Sequence, residues 1–275
     1  MSLSILNNIP SMAAQNALNT TETNLQKTLF ELASGSRINS GADDAAGLAI
    51  ADGLQANIMA LNQSQLNAND GVGQMQVTDG ALSQVTTLLN RAVTLATEAG
   101  TGTVNSTQRV ALDTEFTSIK AEIDSIGADT TFNNTSVFSA TTTTVFLSDA
   151  NVSTSITVAV GVLAASNIGT VTNLVNDDLL TASSAQSALT DINNAIAQVA
   201  AIRGQVGASM NRLTAASNVE ATQVQNLTSA EDGITAANIA QTVADMSKYN
   251  ILESTGMSAL AQANSSQQSV LQLLR

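Results

Sequence analysis

Residues 33–50 read ASGSRINSGADDAAGLAI, which sets Arg37, Asn39, Asp43 and Asp44 among glycines in a chain where only 11% of residues are charged. Clustered acids beside glycines suit a catalytic or metal-binding loop, but they also suit the end of one helix followed by the start of another. A catalytic carboxylate pair needs a cleft and divergent acidities, and a calcium loop needs about six oxygens from spaced positions. Adjacent aspartates fit helix capping and the helix dipole instead, each contributing about 0.5 to 1 kcal/mol. The stretch therefore reads as a joint. One helix ends near Gly35, Asp43 and Asp44 start the next, and Gly35 with Gly41 permits the reversal. Arg37 and Asn39 are expected to anchor the turn, Arg37 by pairing with a carboxylate such as Asp43 or one on a neighbouring molecule.

Both flanks support the joint. Upstream, Leu18, Leu25, Leu29 and Leu32 form a heptad seam, and the only proline is Pro10, so nothing later need break a helix. Downstream, Leu61, Ala68, Met75, Leu82, Leu89 and Ala96 predict a helix from the aspartates to about Ala99, interrupted at its seam by Gln65, Asp79 and Thr86. At that extent the helix is about 80 Å long and needs a partner. A shorter amphipathic helix follows over Val110–Ile126, ending at Gly127. From about Thr130 the composition turns to Thr, Ser, Val and Asn, as in TTTTVFL and VSTSITVAVGVL, which predicts a few short strands.

From Ser184 the helical stripe resumes with Ile192, Val199, Val206 and Leu213, and a looser one continues through Ile251, Leu260, Leu271 and Leu274. The expected fold is mainly α: long antiparallel coiled-coil-like helical hairpins formed by the N- and C-terminal segments, with a small β-rich insert between them. Asn, Gln, Ser and Thr intrude on both seams, and each buried amide without a partner costs about 1 to 3 kcal/mol. The ends are therefore expected to fold fully only against neighbouring subunits.

Composition narrows the function. Hydrophobic residues are 44% of the chain but aromatics only 2%, so its apolar content is small and aliphatic, as in long packed helices. A net charge of -13 repels phosphate and anionic lipid, and no run reaches the roughly 18 apolar residues of a membrane span, so neither nucleic acid nor membrane insertion is expected. No Lys or Arg occurs between Lys120 and Arg203, and that third of the chain is expected to face solvent. The absence of Cys and His removes thiol catalysis, the commonest zinc ligands and the usual general base, so neither enzyme chemistry nor a cofactor is expected. The opening MSLSILNNIPSMAAQ lacks a basic leader, which points to the cytoplasm or to export without a cleaved signal.

Two long segments carry a family resemblance. LASGSRINSGADDAAGLAIADGL (residues 32–54) resembles the N-terminal signature of bacterial flagellins, and MSKYNILESTGMSALAQANSSQQSVLQLLR (residues 246–275) resembles their C-terminal one. The resemblance implies a non-enzymatic filament subunit that is extracellular and self-polymerising. Residues 1–42 and 233–275 are then the inner core of the filament, with Leu18, Leu25, Leu29, Leu32, Ile251, Leu260, Leu271 and Leu274 as the terminal polymerisation seam. Residues 43–129 and 184–232 are the two halves of a helical core domain, and 130–183 are a surface insert. The implied partners are further copies of the chain, the flagellar cap and hook-associated proteins, the flagellar type III export apparatus and an export chaperone. LLNRAVTLATEAG (residues 88–100) matches a third region, in which Asn90, Arg91 and Leu95, with Glu115, occupy positions of the surface read by the vertebrate Toll-like receptor for flagellin. Contacts between filament subunits are the plainer use of those residues. In NLTSAEDGITAANIA (residues 226–240), Gly233 and Asn238 stand near an Arg and an acid of the family pattern.

Other features read plainly. Asn-x-Ser/Thr triplets at Asn133, Asn151 and Asn226 are expected by chance in so Asn- and Thr-rich a chain, and the hydroxyl-rich 139–157 region is a candidate for modification. Gly204 and Gly207 lack the Lys and the strand of a phosphate loop. The rival readings are the hook-filament junction protein of the same superfamily and a coiled-coil adhesion or binding module.

Overall fold

The computed structural model describes residues 8–140, 142–148, 153–168 and 174–273. Five α-helices account for most of them: α1 (Ile9–Ser34), α2 (Ala45–Ala99), α3 (Ser106–Asp129), α4 (Ala182–Thr235) and α5 (Ile239–Leu273). Short strands lie between α3 and α4: β1 (Thr131–Phe132), β2 (Thr135–Ser136), β3 (Thr143–Ser148), β4 (Ser153–Val158), β5 (Leu163–Ala164) and β6 (Asn167–Ile168). They pair only as antiparallel neighbours. The mainly helical fold with a small β insert is the one the periodicities predict. The chain divides into two compact units, residues 1–56 with 226–275, and residues 57–225.

In the first unit α1 and α5 run antiparallel. Ser11 Oγ donates to Asn264 Oδ1 at 2.9 Å near one end, and the Ala237 amide donates to Gly35 O at 2.9 Å near the other. Between them Leu18 lies 3.2 Å from where a Cβ on Gly256 would stand, so glycine there lets the two helices approach closely. Ser11, Ala14, Leu18, Thr21, Leu25, Thr28 and Leu32 form the covered face of α1, at alternating steps of three and four. Thr242, Met246, Tyr249, Glu253, Gly256 and Leu260 answer them from α5 with the same rhythm. Leu29 and Ile251 fall outside this seam and are 46% and 65% exposed, because neither occupies a covered heptad position. Leu274 and the side chain of Leu271 lie outside the described residues.

The second unit holds the large apolar core. Along α2 Leu61, Ser64, Ala68, Gly71, Met75, Thr78, Leu82, Val85 and Leu89 keep one heptad register and are buried. Ala185, Ala188, Ile192, Ala195, Val199, Val206 and Leu213 do the same on α4. The pair is antiparallel, as shown by Gln65 Nε2 donating to Ser217 O at 3.2 Å and Arg203 bonding Asp79 through both carboxylate oxygens at 2.8 and 3.2 Å. Two seam interruptions expected from sequence, Gln65 and Asp79, thus find partners on α4.

Helix α3 begins with a reciprocal capping box between Asn105 and Gln108 and buries Phe116, Ile119 and Ile123. It runs past Gly127 to Asp129 instead of ending there. Gly127 is buried inside the helix, and a Cβ on it would overlap Leu163 O, so its role is close packing and not termination. The insert also corrects the expectation of a solvent-facing middle third. Val145, Leu147, Ile156 and Val158 of β3 and β4, with Leu174, Leu179 and Ile192, join the core, while Thr144, Phe146, Ser155 and Thr157 alternate outward. Apolar periodicity decides burial here, and the shortage of basic residues does not. Lys120 pins the segment after the strands by donating to Asp177 O at 2.7 Å.

Candidate functional site

The joint of residues 35–44 is built as a turn stitched to the break between α4 and α5. Gly35 caps α1 with φ +71°, a left-handed conformation that glycine adopts without a Cβ clash, and its amide donates to Glu31 O. Gly41 has no such φ among the described residues, so the reversal uses one left-handed glycine and not two. The Arg37 amide donates to Thr235 O at 2.7 Å, Ser36 Oγ to the same carbonyl at 3.0 Å, and the Ala237 amide to Gly35 O. Arg37 Nη2 donates to Ile234 O at 2.8 Å. The expected Asp43 pairing is therefore replaced within the chain by a carbonyl at the end of α4, where unpaired backbone acceptors favour a cation.

Asp43 takes Lys27 instead, with Nζ 2.7 Å from Oδ1. Its Oδ2 accepts from the Ser40 hydroxyl and amide and from the Asn39 amide, and Asn39 Nδ2 donates to Ser36 O. Lys27 above all, then Ser40 and Asn39, lower the Asp43 carboxyl to about 2, and the same bond raises Lys27. The two aspartates expected to start α2 divide the work. Asp44 is the cap, accepting from the Gly47 amide at 2.8 Å, whereas Asp43 closes the turn. Gly47 leaves room there for Asp44 and for the buried Ile38. On the other strand of the joint, Asn238 accepts from the Gln241 amide at 3.3 Å and starts α5, so the residue standing near a family acid serves as a neutral cap.

Sequence reasoning missed Lys27, which lies one residue before the covered Thr28 and within reach of the turn. It also missed Ser64 and Glu220, which occupy facing heptad positions in the second unit. Ser64 Oγ donates to Glu220 Oε1 at 2.6 Å, and Oε2 is buried without a hydrogen-bond partner among the described residues. Extending the seam by strict heptads would have exposed both.

On the α2–α3 flank Arg91 holds Glu115 in a two-point bond at 2.7 and 3.1 Å, which raises the arginine and lowers the carboxyl. Asn90, Arg91 and Glu115 are exposed as expected, but Leu95 is not: it is buried in the cluster that holds Phe116 and Ile119, since α3 covers that flank. Among the described residues, nothing outside the local helix backbone lies within 4 Å of where a Cβ on Gly204 or Gly207 would stand. Among the described residues, no group of three or more acids could hold a metal, and no helix is long and apolar enough to cross a membrane. Asn151 lies outside the described residues.

The ends are paired, their joint is stitched, and large apolar side chains remain exposed beside the seam. Comparison with known proteins gives the class. The bacterial flagellin N-terminal helical region matches residues 5–143, and the bacterial flagellin C-terminal helical region matches residues 189–274. The chain belongs to the flagellin family. Flagellin FlaB1 of Treponema pallidum is 33% identical over 98% of this chain and 99% of its own length, and the flagellin of Halalkalibacterium halodurans is 34% identical with the same coverage. A structure described as a flagellar hook-associated protein from Vibrio parahaemolyticus covers 70% of this chain and all of its own, with a TM-score of 0.56 at 15% identity, and shares the fold alone. As a flagellin, the chain is a structural subunit of the bacterial flagellar filament.

Proposed function

We propose that this flagellin polymerises through the outward faces of α1 and α5 and that residues 35–44 hold those helices in an assembling geometry. The observation that carries this is the set of large apolar side chains left outside the α1–α5 seam: Phe30 is 70% exposed, and Leu29, Ile251, Leu252 and Met257 are exposed too. Large apolar side chains left exposed beside a paired seam suit contact sites, and a repeating contact that does not close produces a filament. Leu18, Leu25, Leu32 and Leu260 then hold the pair within a subunit, while Leu29 and Ile251 serve its neighbours. Arg37, Asn39, Asp43 and Asp44 act as the anchor.

In the filament, residues 1–42 and 233–275 form the inner core, 43–129 and 184–232 the helical core domain, and 130–183 the outer surface. Family membership supports export through the type III apparatus with an export chaperone, and growth between the hook-associated proteins and the cap. The exposed Asn90, Arg91 and Glu115 offer a surface to the vertebrate Toll-like receptor for flagellin. Hydrogen exchange tests the reading: on polymerisation the amides of α1 and α5 gain protection, and equal exchange in monomer and filament contradicts it.

A further inference from the structure

The chain has seven methionines and no cysteine, so thioether sulfur is its principal target for a two-electron oxidant. The described methionines differ sharply in access. Met75 is fully buried in the core of the second unit, and Met210 and Met246 are half-buried. Met12, Met59 and Met257 are 61%, 62% and 53% exposed. Each sits beside a seam without entering it. Met12 follows the covered Ser11 on α1, and Met257 follows Gly256, which packs against Leu18. Met59 shares with the exposed Leu66, one heptad on, the face of α2 that points away from Leu61 and Ser64.

We propose, resting on the reading that the outward apolar faces of α1 and α5 carry subunit contacts and extending it to the exposed face of α2 that holds Met59 and Leu66, that these three methionines are separate modification sites at which a peroxide blocks subunit addition. The thioether sulfur attacks one oxygen of hydrogen peroxide, the O–O bond breaks and an S–O bond forms. Sulfur gives up two electrons, and the second oxygen leaves as water once it has taken the remaining proton. The product is a polar sulfoxide where an apolar side chain stood. Because all three sulfurs lie outside the intrachain seams, the folded monomer accommodates the added oxygen. A contact that must desolvate the same side chain against another subunit does not, since an unpaired polar group buried there costs about 1 to 3 kcal/mol. Once the faces are covered, the sulfurs are shielded, so oxidation acts on free monomer more than on finished filament.

The experiment treats full-length monomer and preformed filament with hydrogen peroxide, maps the added oxygen by peptide mass spectrometry, and follows growth on filament seeds. Met12, Met59 and Met257 are expected to oxidise first in the monomer and more slowly in the filament. Seeded growth of oxidised monomer falls by about tenfold or more, with helical content unchanged. A variant carrying Met12→Leu, Met59→Leu and Met257→Leu keeps its growth rate after the same treatment. Should that variant assemble poorly by itself, methionine sulfoxide reductase applied to oxidised wild type replaces it: recovered growth supports the inference, and unrecovered growth after the three sulfoxides are reduced overturns it. Untreated growth on seeds with undiminished growth after oxidation at the three sites overturns this inference alone, whereas no growth of untreated monomer overturns the filament reading beneath it.

Discussion

Lys27 Nζ lies 2.7 Å from Asp43 Oδ1, so a charge on the first helix is held by the carboxylate that closes the turn after it. The same carboxylate binds two amides and a hydroxyl of that turn. One side chain therefore ties the direction in which the chain leaves α1 to the body of α1 itself.

The pH dependence of that tie has a definite sign. Asp43 is lowered to about 2 from 3.8, so its contribution is fully present above the unfolded value and is lost as pH falls through the folded one. Titration of the Asp43 carboxyl by NMR should give a midpoint near the lower value, and Lys27→Met should move it upward, because the lysine is the largest cause. The protection of the Asn39 and Ser40 amides, relative to their intrinsic exchange rates, should fall over the same window.

Arg37→Ala removes a donor to Ile234 O but leaves the backbone stitch through Thr235 intact. The isolated variant should therefore melt within about 0.5 to 1.5 kcal/mol of wild type, the worth of one hydrogen bond. Its growth on seeds should nevertheless fall. Normal polymerisation of this variant would show that the arginine does not anchor assembly.

Ser64 and Glu220 form a buried polar step in an apolar seam, with one carboxylate oxygen lacking a hydrogen-bond partner among the described residues. Ser64→Ala should cost about 1 to 3 kcal/mol, because the remaining oxygen loses its donor as well. In a Glu220→Leu background the same change should cost much less, and that background should match or exceed wild-type stability. Denaturant unfolding of the four proteins in a double-mutant cycle measures the coupling.

Gly71 faces Val145 so closely that a Cβ would lie 2.7 Å from Val145 Cγ2 and 3.1 Å from Leu213 Cδ1. Gly71→Ala should lose about 1 to 3 kcal/mol to overpacking despite alanine's better helix propensity. Adding Val145→Ala should restore part of it, as read from the melting temperature. At Gly127 the obstacle is the backbone carbonyl of Leu163, so no single side-chain trim relieves Gly127→Ala.

Periodicity makes the helices legible. Heptad spacing places α1 up to Gly35 and α2 up to Ala99, and the β-branched Thr and Val runs mark the insert. What it does not give is which apolar residues point away from the seam, because Leu29 and Ile251 look like any other member of a leucine or isoleucine stripe. Nor does it resolve the joint. Asp43 and Asp44 are adjacent and chemically identical, and only the positions of Lys27 and Gly47 decide that one closes the turn and the other caps the helix. The burial of Leu95 escapes the sequence for a similar reason: its neighbours Asn90 and Arg91 are exposed, and the flank of α2 that α3 covers is set by tertiary packing and not by local sequence.

Seeded polymerisation followed by electron microscopy tests the central claim most directly, comparing the full chain with one lacking residues 1–33. If the outward faces of α1 and α5 are what subunits share, the full chain elongates seeds into tubes and the shortened chain does not. Failure of the full chain to elongate seeds, or equal growth by both, contradicts the account.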